Sequence, residues 1–279
     1  MSYILFDIGG TNTRVAVSED LRSFGEVIKF KTPETFVEGI EKIVQAVNDI
    51  TDNEIRGMAG GIRGVLNEDR TMMIKDEKLS DWQEKPLVET LKKKFKSNVY
   101  LENDSAVVGL GESHYGAGKG HEIVVYHTVS TGVGGVKIEN GQIDSYAEGF
   151  EPGHQILDID HTILGDDIEP TLENLVSGTA VEERMGSKPY EIDQKDAIWD
   201  QLAYYLAHGL RNTILYWSPD IIVLGGSMII GDPRIMLDDI IKHTNEVLED
   251  VMTCPLIVDA KLGDEGGLYG AMALLQQRI

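Results

Sequence analysis

The chain has 279 residues, with 47 acidic against 25 basic side chains and a formal charge of -22. That length carries one large or two modest cores, and a field of that sign repels a polyanion, so no nucleic-acid partner is expected. A single cysteine, Cys254, leaves no intrachain disulfide. No apolar run approaches the ~20 residues of a membrane span, and Met1 to Asp7 lacks the basic-then-apolar pattern of a signal peptide, so the expectation is a cytoplasmic protein with no membrane partner.

Tyr3 to Ile8 reads as a buried strand, followed by a Gly-Gly-Thr turn and a second strand through Arg14 to Val17. Phe24 to Lys31 predicts a third strand. Residues 35 to 50 carry Phe36, Ile40, Ile43, Val44 and Val47 at helical spacing. Met58-Ala59 runs into Gly60-Gly61, Leu87, Leu91 and Phe95 mark a further helix, and Asn98 to Leu101 a short strand. Ser105 to Glu112 predicts a helix of small residues. A second cycle starts near Ile123: strand to Val129, glycine turn from Thr131 to Gly135, and strand again from Val136 to Ile138. A long helix is expected from Ala197 to Trp217, ended by Pro219, then a buried strand Ile221 to Leu224. A helix over 235–251, a strand over 256–260 and a closing helix over 268–275 complete the pattern.

The two halves echo each other, each opening with strand, glycine turn, strand. The pattern predicts a duplicated α/β unit with a ligand between the halves. Glycines at such turns let the backbone approach a ligand, and successive N–H groups form a nest for phosphate oxygens. Asp7-Ile8-Gly9-Gly10-Thr11 occupies the first turn and Ser130-Thr131-Gly132-Val133-Gly134-Gly135 the second. Thr11 and Thr131 add hydroxyls, and Asp7 is a candidate for Mg²⁺, directly or through water, because hard cations prefer oxygen ligands.

Asp104, after a strand and before a helix, is either a helix N-cap or a general base that takes a hydroxyl proton. Asn103 would bind the same substrate. Glu151 and His154 flank a glycine and suit sugar hydroxyls, and Gly225-Gly226-Ser227 ends a strand where a turn could admit adenosine. Asp158-Ile159-Asp160-His161-Thr162 matches a phosphatase pattern, yet only Ile156-Leu157 precedes it where a full strand is required. Gly116 to Gly120 evokes a phosphate loop, but Lys119 is followed by glycine, so a linker is the better reading.

Taken together these residues resemble the ROK family of sugar kinases, in the superfold of actin, hexokinase and Hsp70. The resemblance covers nearly the whole chain. Asp7 to Thr11 and Ser130 to Gly135 look like the two phosphate motifs, and Leu101 to Ala106 with Gly109, Gly111 and Glu112 is similar to the catalytic segment. Glu151-Pro152-Gly153-His154 resembles the sugar motif Glu-x-Gly-His. Leu172-Glu173 with Ser177-Gly178 is similar to a further sugar-contacting segment. Ile222 to Gly226 and Leu262-Gly263-Asp264 with Gly270-Ala271 resemble the adenosine motif and the C-terminal segment. Ile62-Arg63 stands where the family often has proline before glycine.

The resemblance implies two ribonuclease H-like α/β domains with an interdomain cleft, one spanning 1–105 plus 266–279 and the other 106–265. It implies ATP and Mg²⁺ as cofactors and a hexose or N-acetylhexosamine as substrate, with Asp104 as general base. Sugar contacts would come from Gly61, Gly64, Asn103, Asp104, Glu151, His154 and Glu173. Nucleotide contacts would come from Asp7, Gly9, Gly10, Thr11, Asn12, Thr131, Gly132, Gly134, Gly225 and Gly226. A homodimer is the expected assembly. The alternatives are a non-catalytic sugar-sensing module and an ATPase of the same superfold. Repressors of the family carry a helix-turn-helix before the first phosphate motif, where this sequence places its first strand at about residue 3.

Many family members hold structural zinc through the histidine of Glu-x-Gly-His and downstream cysteines. The matching positions here hold Leu164, Asp166 and Thr171, none of them a thiolate, so no zinc site is expected. Elemental analysis of the purified protein should find no stoichiometric zinc; one zinc per chain would overturn this expectation.

Overall fold

The computed structural model describes the whole chain, Met1–Ile279. The elements in order are β1 (Ser2–Ile8), β2 (Asn12–Ser18), β3 (Val27–Lys31), α1 (Phe36–Ile50), β4 (Ile55–Ile62), β5 (Val65–Leu66), β6 (Met73–Lys75), α2 (Leu87–Phe95), β7 (Asn98–Asn103) and α3 (Asp104–Tyr115). They continue with β8 (Ile123–Val129), β9 (Val133–Glu139), β10 (Gln142–Ile143), α4 (Leu172–Val176), α5 (Gly178–Met185), α6 (Ile198–Trp217), β11 (Ile221–Gly225), α7 (Ser227–Ile230), α8 (Leu237–Leu248), β12 (Leu256–Asp259) and α9 (Gly266–Gln276).

The chain divides into two compact units. The first holds Met1–Tyr115, Ser145–Gly149 and Asp264–Ile279, and the second Gly116–Asp144 and Phe150–Gly263. The sequence reading parted the chain near residue 105. The structure parts it after Tyr115, because α3 packs against α9 within the first unit.

The first unit is built on a five-stranded sheet in the order β3-β2-β1-β4-β7. β1 pairs antiparallel with β2 and parallel with β4, and β4 pairs parallel with β7. Side chains alternate across β1 as the pleat requires. Ile4, Phe6 and Ile8 join one cluster with Phe36, Ile40 and Ile43 of α1 and Leu87 and Leu91 of α2. Burying such side chains contributes about 1.5–3 kcal/mol each, which is why the apolar stripe on α1 fixes its docking face. Thr35 caps α1 by accepting a hydrogen bond from the Glu38 N–H. Trp82 fills the space left by Gly39, its indole N–H donating to the Pro33 carbonyl at 3.1 Å.

The opposite face of the sheet carries α9, as Gly57 shows: a Cβ there would lie 3.2 Å from Leu275 and 3.5 Å from the Tyr3 ring. α9 packs on α3 at backbone distance. A Cβ on Gly111 would lie 2.6 Å from the Gly266 carbonyl oxygen, and one on Gly270 would overlap the Val107 carbonyl.

The second unit repeats the topology, β10-β9-β8-β11-β12, with β8 antiparallel to β9 and parallel to β11. Its core gathers Val125 and Val129 of β8, Leu202, Leu206 and Leu210 of α6, and Ile240 and Leu248 of α8. β9 begins at Val133 where the sequence suggests Val136. Gly134 and Gly135 pair with Thr128 and His127, and a Cβ on Gly135 would lie 2.7 Å from the Tyr126 carbonyl. These glycines serve close packing inside a strand, which propensity alone scores against. β3 likewise starts at Val27, while Phe24 stacks edge-on with Tyr269, ring centres 4.8 Å apart.

The α3–α9 contact makes a direct prediction. Gly270→Ala forces a methyl group into the Val107 carbonyl, so overpacking should cost about 3 kcal/mol, measured by denaturant unfolding. A substitution with no effect on the midpoint would show that the two helices do not meet at backbone distance.

Candidate active site

In the first unit, sheet register places the candidate residues side by side. β1, β4 and β7 run parallel, with Asp7 opposite Gly61 and Gly61 opposite Glu102. Their C-terminal ends therefore present Asp7, Gly61-Ile62 and Asn103-Asp104 along one edge of the sheet, the edge where ligands bind in open α/β sheets. Gly61 permits the closest approach: a Cβ there would lie 3.0 Å from the Asp104 Cα.

Asp7 is mostly buried and faces the start of α9. A Cβ on Gly267 would lie 2.8 Å from its carboxyl carbon. The Arg14 guanidinium donates to it at 3.3 Å. Burial, and then the charge of Asp104, push the Asp7 carboxyl up to about 7, against the lowering pull of Arg14. The Asp104 carboxyl is also raised, chiefly by burial, with the Ser105 N–H and Arg63 pulling the other way. A desolvated Asp7 carboxylate, raised further by the charge of Asp104, suits a hard divalent cation, which would relieve both effects.

The β1–β2 turn holds Gly9, Gly10, Thr11 and Asn12. Its ends are fixed by Gly9 N–H donating to Asn12 O at 3.0 Å and by the Thr32 hydroxyl donating to Gly9 O at 2.7 Å. Thr11 stays exposed.

The N-cap of α3 is Asn103 rather than Asp104. Its Oδ1 accepts from Ser105 N–H at 3.0 Å and Ala106 N–H at 3.2 Å, and its Nδ2 donates to the Gly64 carbonyl at 3.1 Å. Asn103 thus ties the β4–β5 loop to the start of α3. Gly64 adopts a φ of +99°, open to glycine at little cost.

In the second unit, Glu173 sits directly on the glycine turn. Its Oε2 accepts from the Val133 N–H at 2.7 Å and lies 2.7 Å from where a Cβ on Gly132 would be. The turn is braced further by Gly178 N–H donating to Ser130 O at 2.7 Å and the Thr179 hydroxyl donating to Thr131 O at 2.7 Å. Glu151 and His154 are exposed at either end of a 3-10 turn, Pro152–His154. That turn lies flat on β9, because a Cβ on Gly153 would overlap the Val133 carbonyl. Glu151, His154 and Glu173 are therefore neighbours of Thr131, Gly132 and Gly134 through the first residues of β9.

The end of β11 adjoins the same turn. Gly225 pairs with Thr128, Gly226 has a φ of +86°, and the Ser227 and Ser130 hydroxyls lie 3.1 Å apart.

The phosphatase-like segment has a structural role. Asp158 is buried and accepts from the N–H groups of Thr162, Ile163 and Leu164 at 3.0, 3.0 and 2.8 Å. Burial acts to raise its carboxyl, and these bonds outweigh it, holding it below the usual carboxylate range. The loop from Thr162 to Leu164 is organised around this one carboxylate.

Other participants were invisible in the sequence. Arg63 donates through Nε to the buried Asp76. Glu102, buried at the end of β7, accepts from the Asn103 N–H and the Tyr146 hydroxyl and pairs with Arg70 at 3.3 Å. No spacing rule links residues 63 to 76 or 70, 102 and 146, since they meet only through loops.

Comparison with known proteins places the chain in a family. The ROK family model matches residues 3–278, so the chain belongs to the ROK family. It is 27% identical to a glucokinase of Thermotoga maritima over 98% of this chain and 96% of that one. It is 26% identical to a fructokinase of Streptococcus mutans over 92% and 89%. The fold matches a crystal structure of a ROK hexokinase from Thermus thermophilus with a TM-score of 0.81 at 24% identity, covering 100% and 99% of the two chains. It also matches a Streptomyces griseus ROK family glucokinase, solved with glucose and AMPPNP, with a TM-score of 0.77 at 24% identity over 99% and 100%.

The raised Asp7 carboxyl has a consequence for stability. Between the ordinary carboxylate value of 3.8 and about 7 the folded chain holds a proton that the unfolded chain has lost. Its contribution therefore falls as pH rises through that window. In chelator, Asp7→Asn should raise the melting temperature at pH 8 by about 2–4 °C, equivalent to about 1 kcal/mol. The gain should largely vanish at pH 4, where Asp7 is already protonated. A lower melting temperature at pH 8 would contradict the assignment.

Proposed function

We propose that this protein transfers the γ-phosphoryl group of ATP to a hydroxyl of a hexose or N-acetylhexosamine. The observation that carries the reading is the sheet edge of the first unit, where Asp7, Gly61 and Asn103-Asp104 meet at the ends of three parallel strands. Membership of the ROK family supports it, as do relatives named glucokinase and fructokinase.

Asp104 acts as the general base. Its burial keeps the carboxyl basic, which suits a group that must accept a proton as a bond forms. The sugar oxygen forms a bond to the γ-phosphorus as its proton passes to Asp104. The bond from that phosphorus to the bridging oxygen breaks, and the electron pair leaves with ADP. Glycine backbone N–H groups of Gly9 to Thr11 and of Thr131 to Gly134 hold phosphate oxygens and stabilise the charge in transit. Asp7 would hold Mg²⁺ through water, and the ion would neutralise phosphate charge.

Sugar hydroxyls are bound by Glu151 and His154, and by Glu173 through Oε1, its Oε2 being engaged by Val133. The Gly61 and Gly64 backbone and the second Nδ2 hydrogen of Asn103 add to this. Gly225 and Gly226 admit the adenosine. The protein acts in the cytoplasm as a homodimer.

A coupled ADP-release assay across glucose, mannose, fructose and N-acetylhexosamines tests the activity. Asp104→Asn should lower turnover by about 10²–10⁴-fold, while calorimetry still detects sugar binding. A mutant retaining half the wild-type turnover would refute Asp104 as the base.

A further inference from the structure

Arg63 lies on the loop between β4 and β5, next to Ile62, whose partner on β7 is Asn103. The anchor of Arg63 is unusually firm. Asp76 is 7% exposed, and its Oδ1 accepts from the N–H groups of Lys78 and Leu79 at 2.9 and 2.8 Å. The remaining oxygen, Oδ2, receives the Arg63 Nε.

From that anchor the side chain runs across the first glycine turn. A Cβ on Gly10 would lie 2.9 Å from the Arg63 Cδ and 3.3 Å from Nη1. The terminal nitrogens have no hydrogen-bond partner, and the side chain is 31% exposed. Arginine–carboxylate pairs are frequently bidentate. Here only the inner nitrogen is used, and the outer N–H groups are left over the phosphate turn.

We propose that Arg63 is a catalytic cation of phosphoryl transfer, held by Asp76 as its positioning residue, with its outer N–H groups gripping the phosphoryl group as it crosses from ATP to the sugar. The inference rests on the kinase reading above. The chemistry fits: charge in the transition state spreads over the equatorial oxygens, and a planar fork matches two of them at once where an ammonium cannot. Lys78, whose stem also lies on Gly10, has an exposed side chain and no such anchor.

The test compares wild type with Arg63→Met, Arg63→Lys, Arg63→Ala and Asp76→Asn on the best hexose. Arg63→Met should lower kcat by about 10³-fold, the lower end for a phosphoryl-binding arginine, with the sugar KM changed by less than about threefold. Arg63→Lys should recover only part of the loss, and guanidinium ion added to Arg63→Ala should restore some turnover. Asp76→Asn should lower kcat by about tenfold at unchanged sugar KM. Calorimetry with ADP, aluminium fluoride and sugar should show tight binding to wild type that Arg63→Met loses, while binding of sugar alone survives.

If Arg63→Met unfolds because Asp76 is left unpaired, the double variant Arg63→Met/Asp76→Asn removes both charges and carries the same expectation. An Arg63 variant with kcat within about threefold of wild type, or with its defect confined to sugar KM, overturns the proposal and leaves the kinase reading standing. A wild-type chain that phosphorylates no hexose overturns the kinase reading itself.

Discussion

The first unit depends on backbone approaching backbone. α3 and α9 meet where Gly111 and Gly270 leave no side chain between them. α3 begins with Asp104 and α9 begins one residue before Gly267, which touches Asp7. Any Cβ at Gly61, Gly267 or Gly270 would push these helix starts away from the sheet edge. The same closeness withdraws Asp7 and Asp104 from much of the surrounding water.

Three ways of burying a carboxylate coexist in this chain. Asp158 is wrapped in backbone N–H groups and stays ionised. Glu102 is met by a tyrosine hydroxyl and an arginine. Asp7 and Asp104 are desolvated with too little compensation, and both are raised. Under-compensated groups of this kind cluster at functional sites, because fold stability gains nothing from them. The contrast sets Asp7 and Asp104 apart from Asp158, whose hydrogen bonds offset its burial.

The second unit applies the same device with less burial. Glycines at 132, 135 and 153 let Glu173 and the Pro152–His154 turn lie directly on the start of β9. Cysteines are missing from the loop beyond. Asp158 orders the loop at Thr162 to Leu164 by hydrogen bonding.

Much of this was legible in one dimension. Strands such as Ser2–Ile8 and Ile221–Gly225 are apolar runs beside glycine, and α1 declares itself through the spacing of Phe36, Ile40, Ile43 and Val47. These signals are local, since a strand or helix repeats over two to four residues. Two strand–glycine–strand openings and the ordered motifs from Asp7 to Gly226 were likewise enough for the family. The short β5 and β6 were missed because two and three residues carry no period. The bond from Asn103 to the Gly64 carbonyl, the bond from Arg63 to Asp76 and the meeting of Arg70, Glu102 and Tyr146 belong to the tertiary structure alone. Each joins residues whose separation along the chain is set by loops, and loop length encodes no direction. Sequence by itself determined which elements form and which motifs they carry. Parallel register among β1, β4 and β7, and the glycines that let helices touch, decided which side chains share one desolvated edge.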